Sequence, residues 1–356
     1  MTNILRGVWR IPYCVFEQAR NTPYAIRNTI WLLLLTVILA ACSGAAGTGE
    51  ADGRLKVVST VSPITNIVYN IGGEKIELSG IVPEGTNSHT FEPAPSTAVK
   101  MSEADLIFIN GLNLELPSLK MARANLKDGA EIVLLGEQTL TPEEYIYDFS
   151  FPKEAGNPNP HLWTNPILAL KYAEIVRDKL AAKDPDNADY YQANYDAFAQ
   201  RINDLDEAIK ATTASIPENN RKLLTYHDSF AYFAPRYGYT IIGAIQPADF
   251  SQPSAQEMAA LIDQLKAEGV PAIFGSEVFP SPVLDQIGRE AGVSYVDTLR
   301  DDDLPGEPGE ANHSYLGLMV YDLQIMANAL GGDPSLMDSV DVSNVPGADA
   351  AVQQEQ

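Results

Sequence analysis

Cysteine is almost absent from this chain of 356 residues, which has two, Cys14 and Cys42. With one of them close to the start and the other following an apolar run, neither a disulfide framework nor a cysteine-based metal site can be built. Basic residues are also scarce, 24 Lys and Arg against 47 Asp and Glu, for a formal net charge of −23. A surface that acidic excludes nucleic acid as a partner, and it favours cationic ligands over anionic ones. Histidine occurs four times. No HExxH helix is present, so the commonest zinc-hydrolase signature is missing. The one long apolar run, "TIWLLLLTVILAAC" from residue 29 to residue 42, is too short for a confident membrane span.

That run does have the form of an export signal. Arg6, Arg10, Arg20 and Arg27 stand before it against the single Glu17, and it ends in small residues. A basic n-region, an apolar h-region and a small-residue cleavage site make residues 1–41 a signal peptide rather than an uncleaved anchor. The closing "LAAC" looks like a bacterial lipobox, which would make Cys42 the lipid-modified first residue of the mature protein. The Gly-rich stretch that follows, through residue 54, reads as a flexible tether. The expected location is extracytoplasmic, with the lipid at Cys42 as the membrane anchor.

What remains is longer than one core usually supports, so two domains are expected. Short apolar runs alternate with helical patterns at 56–61, 76–82, 105–110 and 131–136, and again at 222–226, 240–245, 272–277 and 293–299. This alternation predicts an α/β fold of two Rossmann-like β/α lobes with parallel sheets, residues 55–166 and 218–335. Between them, Tyr191, Tyr195, Phe198, Ile202, Leu205, Ile209 and Ile216 recur at spacings of three, four and seven. They predict one long amphipathic helix within a connection at 167–217, packed on its own domains rather than on a second copy. Residues 336–356 are polar and are expected to be a disordered tail.

Three of the four histidines fall at the carboxyl ends of strands or at the boundary between lobes, where open α/β sheets bind ligands. His89 follows the second strand, His161 ends the long last loop of the first lobe, and His227 comes directly after the first strand of the second. Imidazole is the commonest ligand for borderline metals, and three imidazoles with one carboxylate close a four-coordinate site. The carboxylate should come from the second lobe. Asp297 in "YVDTL" is the first candidate because it ends a strand, and Glu277 in "FGSEVF" is the alternative. The acidic "RDDDL" (300–304) reads as a solvated turn. Glu92, three residues beyond His89, could accept a ring N–H from a ligand histidine and fix its tautomer. His313 is expected near the surface at the start of the last helix and is not counted as a ligand.

With these residues in place, "SHTFEPAPS", "PHLWTNP", "HDSFAYFAPRYGY", "QPSAQEMAALI", "YVDTL" and "YLGLM" occur in an order that resembles the metal-binding solute-binding proteins of bacterial zinc and manganese ABC importers, the cluster A-I family. The resemblance runs over roughly 55–332. It implies two α/β lobes joined by one rigid helix, with His89, His161, His227 and Asp297 as metal ligands in the cleft. It also implies that the chain is not an enzyme and has a permease with its ATPase subunit as partners. Zn2+ is favoured as the bound substrate because manganese members tend to carry glutamate in place of the third histidine. Mn2+ or Fe2+ is the alternative, and a surface adhesin lipoprotein is a second alternative. A monomer is expected. Two departures stand out: Asn165 lies where aspartate is usual, and the His-rich acidic loop of many zinc members is missing.

Overall fold

The computed structural model describes residues 53–245, 254–276, 281–346 and 353–354. Residues 1–41, Cys42 and Glu277 lie outside the described residues. In chain order the elements are β1 (Leu55–Ser59), α1 (Ser62–Gly72), β2 (Ile76–Gly80), α2 (Thr97–Glu103), β3 (Leu106–Ile109), α3 (Leu116–Asn125), β4 (Glu131–Leu134) and α4 (Leu135–Thr139). Then come α5 (Pro166–Lys183), α6 (Ala188–Ser215), β5 (Lys222–Thr225), α7 (Ala234–Tyr237), β6 (Thr240–Ala244), α8 (Ala255–Glu268), β7 (Ala272–Ser276), α9 (Pro282–Ala291), β8 (Ser294–Leu299), α10 (Tyr315–Leu330) and β9 (Gln353–Gln354). Each of the eight predicted strands is present.

The first lobe is a parallel sheet in the order β4-β3-β1-β2, extended at the β2 edge by the two residues of β9. Its inner strand β3 is buried along its whole length, as a strand covered on both faces must be. In the second lobe β5 pairs with β6 and β7 with β8, both in parallel, and β5 lies against β7. A smaller separate core, including Leu224, Ile242, Leu265, Ile273 and Ile287, fills it. The parallel strands of each lobe thus run their carboxyl ends into loops that can share one site.

The connecting helix α6 runs for 28 residues with neither Gly nor Pro inside it. Tyr191, Phe198, Ile202, Leu205 and Ile209 are buried along one stripe, which packs on α5, α1 and α10 of the same chain. The stripe is thus satisfied internally, and no partner helix is needed to cover it. Asp206 ties this helix to α7: it accepts from Arg236 through both carboxylate oxygens (2.8 and 2.7 Å) and from the Tyr237 hydroxyl (2.6 Å).

The end of the chain departs from the expected tail. Met337 is fully buried, and Asn344 and Val345 are hydrogen-bonded to the side chains of Asn66 and Asn70 on α1. Arg201 on α6 holds Asp341 at 3.1 Å and donates to the carbonyl of Ser343. Polar composition suggested fraying, but these side chains find specific partners nearly 280 positions earlier, so residues 337–346 are folded against the first lobe.

Candidate metal centre

His89 sits in the loop between β2 and α2, where Pro83, Gly85, Pro93 and Pro95 rule out regular structure. The Asn87 side chain accepts from the backbone N–H of His89 (2.8 Å), a local turn that fixes where the imidazole leaves the chain. His161 starts a short 3-10 turn just before α5. His227 stands two residues beyond the end of β5.

The three rings converge on their Nε2 atoms. His161 Nε2 lies 3.1 Å from His89 Nε2 and 3.2 Å from His227 Nε2. The donor atoms of all three fall within 4.8 Å of one another. The fourth group is Asp301, whose Oδ2 is 2.9 Å from His227 Nε2. A tetrahedral ion with bonds of about 2.0–2.1 Å has donor–donor edges of about 3.3 Å. The three observed edges, His89 to His161, His161 to His227 and His227 to Asp301, are close to that figure, and the three imidazoles form a cluster that could hold an ion with Asp301 beside it.

One tautomer can be assigned from bonding logic. The Nδ2 of Asn159 donates to Asp148 Oδ2 (2.7 Å) and to the carbonyl of Asp228, both of which can only accept there. Its Oδ1 must therefore face His161, where it accepts from the backbone N–H (2.9 Å) and from ring Nδ1 (3.0 Å). With Nδ1 protonated, Nε2 of His161 carries the free lone pair that a cation needs.

Charge in the site is arranged to keep the donors usable. Burial, with His227 as a neighbouring positive group, pushes His89 down to about 3. The same two causes, with His89 added, put His161 well below its ordinary value. Burial also disfavours charge on His227, but the Asp301 carboxylate outweighs it and raises that imidazole. Asp301 would be raised by burial, yet His227 holds it below the usual carboxylate range. Asp302 is pushed up to about 7 by burial and then by the charge of Asp301.

The "RDDDL" turn is not solvated; Asp301, Asp302 and Asp303 are all buried. Asp301 meets His227, Asp302 accepts from the backbone N–H and hydroxyl of Ser88 (3.0 Å each), and Asp303 accepts from Gly85 N–H (2.7 Å). The backbone carbonyl of Asp301 accepts from Trp163 Nε1 at 2.8 Å. One turn of the second lobe thus grips both ligand loops of the first.

Asp297 is exposed on β8, and the carboxylate at the histidine cluster is Asp301 instead. The physical reason is position: the site lies beyond the strand ends, and Asp301 follows Leu299 by two residues just as His227 follows Thr225. Glu92 is exposed, and Asn159 rather than Glu92 fixes a ligand tautomer. His313 is mostly buried and faces Glu84 at 3.5 Å, away from the cluster. Asn165 keeps the helix cap, its side chain accepting from Ile167 N–H (3.0 Å) while its amide donates to the carbonyl of Tyr232 (2.9 Å). Neither Asp301 nor Asn159 had a local sequence signal beyond the strand-end rule and the offset of two residues from His161.

A two-lobed α/β fold with imidazoles and a carboxylate converging between the lobes defines a metal-binding protein of the solute-binding class. Residues 57–329 match the family described as the periplasmic component A of zinc-uptake complexes, and the chain belongs to that family. It is similar to the metal ABC transporter substrate-binding lipoprotein FimA of Streptococcus parasanguinis, 30% identical over 292 residues, 82% of this chain and 94% of the relative. It is also similar to the manganese ABC transporter substrate-binding lipoprotein PsaA of Streptococcus pneumoniae, 29% identical with the same coverage. Among solved structures, the periplasmic zinc-binding protein TroA of Treponema pallidum superposes with a TM-score of 0.71 at 25% identity, over 78% of this chain and 99% of that one. A Mn-bound periplasmic metal-binding protein from Candidatus Liberibacter asiaticus gives 0.68 at 26% identity, over 78% and 100%.

Proposed function

We propose that this chain is the extracytoplasmic substrate-binding component of an ABC importer, anchored by lipid at Cys42, and that it captures a divalent transition metal, zinc in preference to manganese or iron(II), for delivery to a permease. The observation that supports this most directly is the convergence of three imidazoles whose Nε2 atoms stand 3.1 and 3.2 Å apart through His161, with an Asp301 carboxylate oxygen 2.9 Å from His227. Neutral imidazoles at His89 and His161 present lone pairs, and Asp301 offsets part of the charge of the ion. Its carboxylate closes the fourth position, which leaves no place for an activated water and so no hydrolytic chemistry.

Because His89 and His161 come from the first lobe and His227 and Asp301 from the second, the bound ion ties the lobes together. A helix of 28 residues without Gly or Pro is a stiff connector. Capture therefore proceeds by small loop adjustments rather than by wide hinge closure.

Zinc is preferred because three nitrogen donors and one oxygen suit four-coordination, whereas manganese favours more oxygen donors. The relatives named for manganese make that ion the reading to test against. Protein purified without added metal should hold one equivalent of zinc by elemental analysis. About a hundredfold excess of manganese should fail to displace it, as the affinity order of divalent ions leads one to expect. Ready displacement by manganese would reverse the preference, and absence of bound metal would refute the site.

A further inference from the structure

Two cavities reach the ligand set among the described residues. One, behind His227 and Asp301, has a volume of about 10 Å³, room for about one water. The other, in front of His89, has about 80 Å³ and is lined by His89, Leu112, Leu114, Phe151, Asn157 and Pro158, among others. That is enough for an ion that still carries several waters. His89 is also the only one of the three histidines that is not fully buried, so the larger cavity meets the site at its most accessible ligand.

Beside His89, the ring of Phe151 lines the same cavity and covers two of the three imidazoles. It stacks on His89 (centroids 5.6 Å apart, planes at 29°) and sets its edge against His161, also at 5.6 Å. Phe151 rides on a loop fastened firmly at its base. Asp148 accepts from the N–H groups of Ser150 and Phe151, Ser150 Oγ accepts from Asp228 N–H, and Asn159 bonds back to Asp148. At its tip an exposed bond holds it, Asn113 Nδ2 donating to Asn157 Oδ1 at 2.9 Å. Water readily replaces an exposed neutral bond of this kind. The loop is thus fixed where the ligands are and loosely latched where the cavity opens.

Building on the metal-binding reading above, we propose that the ion enters and leaves through this cavity, with Phe151 as its gate and the Asn113–Asn157 bond as the latch. Such a gate sets exchange rates without setting affinity, because it hinders entry and exit equally. The test is stopped-flow zinc association and release to a chelator, with the equilibrium Kd measured by competition, on wild type, Phe151→Ala and Asn157→Ala. The expected result is that Phe151→Ala raises the association and release rates together, each by on the order of tenfold, with Kd within about twofold. Asn157→Ala, which touches no ligand, should move both rates the same way by less. Unchanged rates in Phe151→Ala would overturn the route. A faster release with an unchanged association rate, and so a weaker Kd, would make Phe151 a packing residue and overturn the gate. Failure of the wild type to bind stoichiometric zinc would instead refute the site itself.

Discussion

Replacing Asp301 with Asn separates the site drawn here from the one centred on Asp297. Asp301 is buried, and its Oδ2 lies 2.9 Å from His227 Nε2. The substitution keeps size and shape but removes the negative charge closest to the ion. Asp302 is a poor substitute, since both of its oxygens are engaged by Ser88 and burial raises its carboxyl. Loss of a buried, paired charge costs about 2–5 kcal/mol, and about 3–4 is expected here because the Asn carbonyl still offers a donor. Zinc Kd should therefore weaken by on the order of a few hundredfold. A second effect follows from the same contact: without the Asp301 carboxylate the largest influence that raises His227 is gone, burial is opposed only by the charges of Asp302 and Asp228, and the imidazole falls relative to the wild type. Zinc affinity of Asp301→Asn should then depend less on pH than that of the wild type. Asp297→Asn, on the exposed face of β8, should leave both Kd and stability unchanged within about 0.5 kcal/mol. Isothermal titration calorimetry across pH on the three proteins is the assay. Equal Kd in wild type and Asp301→Asn, or a large loss in Asp297→Asn, would refute the assignment.

Further outcomes follow from the same geometry. Wild-type zinc affinity should weaken with about one proton per ion as pH falls from 7 to 5, because His227 is the raised imidazole while His89 and His161 are already held neutral; competition titrations giving two or more protons would contradict this. A thousandfold excess of zinc over Kd should stabilise the wild type by about 4 kcal/mol, and His161→Ala should lose most of that gain in thermal unfolding while its metal-free stability changes little. Cys42→Ser should release the protein from the membrane or leave it unprocessed, and lipid labelling of the variant would rule out the anchor. Asp206 would be raised by burial, but hydrogen bonds from Arg236, Lys210 and Tyr237 hold it at about 2. Its depressed value contributes about 2 kcal/mol that is fully present above about pH 4 and is lost as pH falls toward 2, so the gap in stability between wild type and Asp206→Asn should close over that window.

The strands were legible because each is a short apolar run bounded by turn chemistry, and α6 because its stripe keeps one spacing for seven turns. The three histidines were legible for a different reason: the residue type is rare here, and all three fall at one edge of the sheets. Asp301 was not, because an acidic triplet has the local composition of a solvated turn. What makes it otherwise is partners more than 200 positions away, Ser88 and Gly85, and His227 74 positions before it. Asn159 was hidden for a similar reason, since its role depends on which of its two amide atoms faces His161, and that is set by Asp148 and the carbonyl of Asp228. The folded segment at 337–346 depends on Asn66 and Asn70, which no pattern within the segment could reveal.

The most direct test of the account is anomalous diffraction at the zinc edge from crystals of the zinc-loaded protein. One strong peak is predicted, about 2.0–2.1 Å from Nε2 of His89, His161 and His227 and from an oxygen of Asp301. A peak coordinated by Asp297, or one lying away from the three imidazoles, would contradict it.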